Sequence, residues 1–197
     1  MPKDLKIIER ADILDAGEYE KVRKEMRSAL VAEKKNRRVE VGPYATFYFE
    51  NYDTMWMQIH EMLRIEKGGE EQIVDELSAY NPLIPQGSEL VATMMLEIED
   101  EIRRTKTLGK LGGIEETVTL KIGDHVIKAE AEEDVDRTTA DGKTSSVHFM
   151  HFPMTTEQCA AFKSSRSQAI LSIDREGYQH MAVLPDPVRQ ALSRDLD

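Results

Sequence analysis

The sequence predicts an α+β fold, an antiparallel sheet with helices packed mainly on one face, in a single domain covering residues 1–197. Two observations predict it. Apolar residues recur every three to four positions in the first third of the chain and alternate every two positions in the second half. Helices and strands also come in uneven blocks, whereas a doubly wound fold would set one helix between each pair of strands. The expected organisation is a helical N-terminal part over about 1–36, a strand-rich second half over about 115–184 and a C-terminal helix over about 186–196.

From Gly17 to about Lys35, the residues Tyr19, Val22, Met26, Ala29 and Leu30 make one apolar helical stripe. The helix ends in Lys34, Lys35, Arg37 and Arg38, cations that suit the negative end of the helix dipole. Val39 to Val41 and Ala45 to Glu50 read as two strands around the Gly42-Pro43 turn. Asn51 caps a helix carrying Met55, Trp56, Ile59, Met62 and Leu63 on one face, and Gly68-Gly69 stops it. A short helix marked by Ile73, Val74 and Leu77 follows, and then a rigid link from Pro82 to Pro85. Leu90 to Ile98 is a strand, and Glu99 to Arg104 a surface helix ended by Gly109, Gly112 and Gly113.

In the second half, Val118, Leu120 and Ile122 lead through Gly123-Asp124 into His125 to Ala129, a hairpin. An acidic stretch, Glu130 to Asp136, precedes a turn at Asp141-Gly142 and a strand over Lys143 to Phe152. Thr155 with Gln158 is a capping box, Ala169 to Ile173 and Gln179 to Leu184 are strands, and Asp186-Pro187 opens the terminal helix.

A chain of 197 residues suits one domain with its own core. Against 26 Lys and Arg stand 37 Asp and Glu, a net charge of −11 that disfavours phosphate-backbone binding, so no nucleic acid is expected as a partner. No run reaches the roughly 20 apolar residues of a membrane span, and charges interrupt the first ten residues where an export signal would be apolar. The expectation is a cytoplasmic protein without a membrane partner. Cys159 is the one cysteine, so a single chain makes neither an internal disulfide nor a CxxC pair.

Incomplete motifs dominate the chemistry. His60-Glu61 opens like the zinc motif HExxH, but Arg64 stands where the second histidine is needed, and His60 reads as a surface or interface residue. Gln58 and Glu61, three apart beside the apolar stripe, are placed to project into a cleft. His148 and His151 are three apart on a strand and point to opposite faces, so they do not share a metal there. Lys143-Thr144-Ser145-Ser146 sets an ammonium beside three hydroxyls, a weak anion-binding pattern. Gly109 to Gly113 matches neither nucleotide-binding glycine motif, and Glu130 to Asp136 lacks the calcium-loop spacing. Met55, Met57 and Met62 read as core filling, and Cys159 lies near a helix start where the dipole would favour its thiolate.

The blocks Arg37-Arg38-Val39, Phe49-Glu50-Asn51, Gln58 to Arg64, Tyr80 to Pro85, Leu111 to Glu115 and Lys143 to Phe149 resemble, in order, the bacterial domain of unknown function family 3501. The resemblance covers nearly the whole chain. That family has no established activity to carry over. The resemblance implies a small bacterial protein encoded near rubrerythrin-like and iron–sulfur oxidoreductase proteins, and so a link to redox or peroxide metabolism.

Two readings follow. The first is an accessory or interaction protein, a homo-oligomer without a cofactor of its own, working with a rubrerythrin-like or iron–sulfur oxidoreductase partner. The second is an enzyme or binder of a small anionic molecule whose cleft gathers residues from separate blocks. In it Glu61 and His148 are the catalytic candidates that exchange protons, Arg64 and Lys143 hold the anion, and Gln58 and Asn81 orient it. A metal at Glu61 and His148 has too few predicted ligands to be favoured.

Overall fold

The computed structural model describes residues 6–132, 142–164 and 166–197. Helix α1 (Ala16–Lys34) is capped by the Asp15 carboxylate, which accepts from the Glu18 N–H. The β1 (Arg38–Val41) and β2 (Ala45–Phe49) hairpin leads to α2 (Tyr52–Glu66). As its sequence predicts, α2 starts on Asn51, which forms a reciprocal capping box with Thr54. Then come α3 (Gly69–Tyr80), β3 (Glu89–Leu96), α4 (Glu101–Leu108), β4 (Val118–Ile122), β5 (His125–Lys128) and β6 (Glu130–Ala131). Strand β7 (Val147–Pro153), α5 (Thr156–Ser164), β8 (Ala169–Arg175), β9 (Tyr178–Val183) and α6 (Asp186–Leu192) complete the order.

The α+β class and the antiparallel pairing hold throughout the named strands, which divide into two sheets. The first has the order β1-β2-β3-β7-β6 and the second β5-β4-β8-β9. One hydrophobic core joins the two sheets: Phe47, Phe49, Leu90, Met94, Met150 and Phe152 from the first pack with Leu120, Ile122, Leu171 and Ile173 from the second. Cys159, Phe162, Val188 and Leu192 of α5 and α6 enter the same core. A second core lies on the other face of the first sheet, where Val91 meets Met55, Trp56 and Ile59 of α2, Tyr19 and Leu30 of α1, and Ile73 of α3. Helices thus cover one face of the first sheet. No helix among the described residues is long and apolar enough to cross a membrane.

Several local expectations change. Residues 6–15 precede α1 as a strap with one 3-10 turn at Arg10–Asp12, pinned by Trp56 Nε1 donating to the Asp12 carbonyl at 2.9 Å. The Pro82 link contains a 3-10 turn over Asn81–Leu83. The strand expected from Lys143 begins at Val147, because Thr144 donates its N–H to the Leu108 carbonyl and the Ser145 hydroxyl takes the Val147 N–H. At the last helix Pro185 is the cap and Asp186 the first helical residue; α6 ends at Leu192 and continues as a 3-10 turn over Ser193–Asp195. The acidic residues Glu133 to Asp136 and the turn residue Asp141 lie outside the described residues.

Arg37 ties the C-terminal segment to the first sheet. Buried just before β1, it donates to the carbonyls of Phe49 and Glu50 and pairs with the Asp195 carboxylate. Their side chains are 3% and 9% exposed, so each charge depends on the other for its solvation.

Candidate functional site

On α2, Glu61 faces α1. Its Oε1 accepts from Arg23 Nε at 2.7 Å and from the Tyr19 hydroxyl at 2.6 Å, and its Oε2 accepts from Arg23 Nη2 at 2.9 Å. The bidentate Arg23 bond, helped by Tyr19 and opposed by partial burial, pulls the Glu61 pKa from 4.5 down to about 2. Arg64 pairs with Glu20 of α1, and Gln58 Nε2 lies 3.4 Å from the Tyr80 hydroxyl at the end of α3. Asn81 accepts from the Ile8 N–H at 2.7 Å and donates to the Ile8 carbonyl at 3.0 Å, holding the N-terminal strap. Each of these four side chains has a partner within the helical layer and its strap.

His60 is 2% exposed, not the surface residue its sequence context suggests. It packs against the Trp56 and Tyr19 rings, donates from Nδ1 to the Trp56 carbonyl at 2.8 Å, and accepts the Leu14 N–H on Nε2 at 3.0 Å. That arrangement uses the neutral ring. Burial accordingly lowers its pKa, against the raising effect of the Trp56 carbonyl and Glu61.

His148 lies elsewhere. On β7 it shares a face with Met150 and Phe152, which belong to the core between the sheets, whereas Val91 of the adjacent β3 belongs to the core shared with α2. Glu61 and His148 therefore sit on opposite sides of the first sheet, and the six candidate residues do not form one cleft. Lys143 and His148 remain neighbours along the chain, and the structure adds Glu115, the last residue of the block Leu111 to Glu115.

Glu115 sits on a 3-10 turn over Ile114–Thr117, opened by Gly113 at φ +76°, a left-handed conformation that favours glycine. Its Oε2 is 3.9 Å from His148 Nδ1. His148 Nε2 lies 3.0 Å from the Ser145 carbonyl and 3.1 Å from the Thr144 hydroxyl. A carbonyl only accepts, so Nε2 carries a proton and Nδ1 is the nitrogen turned to the carboxylate. The imidazole itself is fully buried, and Thr144 is 2% exposed. Arg175 Nε donates to the Gly112 carbonyl at 2.9 Å, bracing the glycine turn from β8, while Lys143, next to Thr144 in the chain, is exposed. This is a largely buried imidazole, carboxylate and hydroxyl cluster, a set able to hold or pass a proton.

Two other sequence candidates resolve structurally. Burial pushes the Cys159 thiol up, outweighing Lys163 and a backbone hydrogen bond, so a thiolate is disfavoured despite the helix start. Among the described residues, no group of three or more His, Cys, Asp or Glu side chains is arranged to hold a metal ion.

The comparisons with known proteins agree with the fold and leave the chemistry open. The chain is 37% identical to a novel protein of unknown function from Burkholderia pseudomallei K96243, known from a crystal structure. The alignment covers 96% of this chain and 99% of that one, at a TM-score of 0.89. No curated protein matches. The family model of DUF3501, described as a protein of unknown function, matches residues 7–196, and the chain belongs to that family.

Proposed function

We propose that this protein is an accessory protein that acts by contact with other proteins. It assembles as a homo-oligomer, needs no cofactor of its own, and serves redox or peroxide metabolism beside a rubrerythrin-like or iron–sulfur oxidoreductase partner. The observation that carries the contact role is the outer face of the second sheet. Val126, Lys121, Ile170 and Val183 form one cross-strand row there, next to the row Lys128, Thr119, Ser172 and Met181. Val126 is 59% exposed, Met181 73% and Val183 51%. Ile170, Val183 and Met181 are apolar neighbours on this face, with Val126 across Lys121, and exposed apolar side chains gathered on one sheet face are what an interaction surface offers. The redox part rests on the family resemblance alone.

The test is native mass spectrometry of the protein purified gently from its own host, with a photo-crosslinking residue in place of Met181. The expected result is a mass of more than one chain and a cross-link that recovers a second copy or the redox partner. A bare monomer that yields neither would overturn the reading.

A second reading is favoured by the burial of His148 against Glu115 and Thr144: a small anion held at Lys143, with His148 exchanging the proton. Thermal shift with inorganic phosphate, sulfate and small carboxylates tests it. Stabilisation by one of them that disappears in Lys143→Ala and His148→Gln supports it. A flat response from the wild-type protein counts against it.

A further inference from the structure

The first sheet ends on β6, whose two residues pair with β7 as Glu130 with His151 and Ala131 with Met150. One further backbone bond, from the Glu132 N–H to the Phe149 carbonyl at 3.2 Å, extends this ladder. So short a strand needs help from side chains to stay in place.

That help comes from His151. On the outer side of the sheet its Nδ1 lies 3.0 Å from Glu89 Oε2 on β3, and its Nε2 lies 3.6 Å from Glu132 Oε1 just past β6. Glu130 stands directly opposite in register. These three carboxylates are the charged groups that β3 and β6 bring to the ring. The side chains of His151, Glu89 and Glu132 are 21%, 19% and 22% exposed, so the charges meet in partly dry surroundings where attraction is stronger than in bulk water.

Carboxylates accept hydrogen bonds and do not donate them at neutral pH, so both ring nitrogens are served together only when both carry protons. We propose that His151 is a pH-sensitive clasp that fastens the edge strand β6 to β3 and β7 when the ring is an imidazolium and loosens it when the ring is neutral. The neutral ring has one N–H and keeps the shorter contact to Glu89, so the Glu132 side is the one that lets go. Release leaves the part of β7 under β6 as an open sheet edge, with unpaired backbone groups able to accept another strand. The clasp is independent of the accessory reading and of the His148 cluster.

The direction of the titration agrees. Chiefly through the Glu89 hydrogen bond, opposed by burial and aided by Glu132, the ring's pKa is raised above its ordinary 6.5. A raised folded value means that the stabilisation is fully present below 6.5 and is lost as pH rises through the folded value.

Hydrogen exchange on the full chain between about pH 6 and 9, corrected for intrinsic exchange, tests the clasp. A several-fold loss of protection is expected in a peptide spanning Ala129 to Glu132 as pH rises, with β3 unchanged. In His151→Lys, whose charge persists across this range, protection should stay level. In Glu132→Gln, a milder change, the step should shrink and the His151 ring, followed by NMR, should titrate at lower pH. A flat wild-type profile, or a His151→Gln variant with the same step, would overturn the proposal.

Discussion

The two sheets meet across one core, yet their outer faces have opposite fates. On the first, β2 is buried or half-buried at every position and β3 hides Leu90, Val91 and Ala92 in succession, because α1, α2 and α3 cover what would be the outer side. On the second, β9 buries Tyr178 alone, and its remaining residues are exposed or half-exposed. A strand covered on both faces reads as a continuous apolar run, and one covered on a single face reads as alternation. The comparison also sorts the side chains: Glu61, Arg64, Gln58 and Asn81 in the helical layer are spent on internal bonds, while Val126, Met181 and Val183 on the second sheet stay exposed.

The sharpest way to break this contrast is at Arg37. Replacing it in Arg37→Met leaves Asp195 buried without its cation and two carbonyls without donors. A loss of about 3–5 kcal/mol is expected in denaturant unfolding. Next comes the covered face itself. Ile59 of α2, fully buried, should cost about 2–4 kcal/mol on truncation in Ile59→Ala, whereas Met181→Ala on the bare face should stay within about 0.5 kcal/mol. Equal losses at the two sites would end the comparison.

Acid should act on the helical layer through two groups of the same sign. Glu61 has its pKa depressed from 4.5 to about 2, so its contribution is present above 4.5 and falls away as pH drops toward 2. His60, with a lowered pKa, holds the folded state while neutral and loses ground once pH falls below 6.5. Thermal midpoints followed by circular dichroism from pH 7 to 3 should decline, and Glu61→Gln should flatten the lower part of that decline. The smallest stability effect belongs to Met181→Glu, within about 0.5 kcal/mol. On the contact role proposed above, its signature is in assembly, a shift toward the mass of one chain in native mass spectrometry.

Much of this architecture is legible along the chain, for local reasons. Asn51 with Thr54 and Thr155 with Gln158 set their helix starts through bonds three residues long, and the Gly123-Asp124 hairpin follows from its turn. What alternation does not encode is which sheet a strand joins. The pattern in β7 says that His148 shares a side with Met150, but not that this side faces a second sheet instead of α2. That gap separates Glu61 from His148. Arg23 and Tyr19 likewise carry no mark that they will meet Glu61, because the contact crosses two helices 38 and 42 residues apart. Glu115 closes the block Leu111 to Glu115, and only the glycine turn in space brings it to His148.

The pairing of Arg37 with Asp195 spans 158 residues. It closes a very large loop, a step whose entropic cost is met only after much of the chain has already condensed. Until that moment the corner beside β1 holds a charge that must stay wet, so the first sheet completes its drying last where its own sequence begins. A late contact of this kind acts as a latch on escape more than as a guide to entry. Weakening it in Asp195→Asn should speed unfolding far more than it slows refolding.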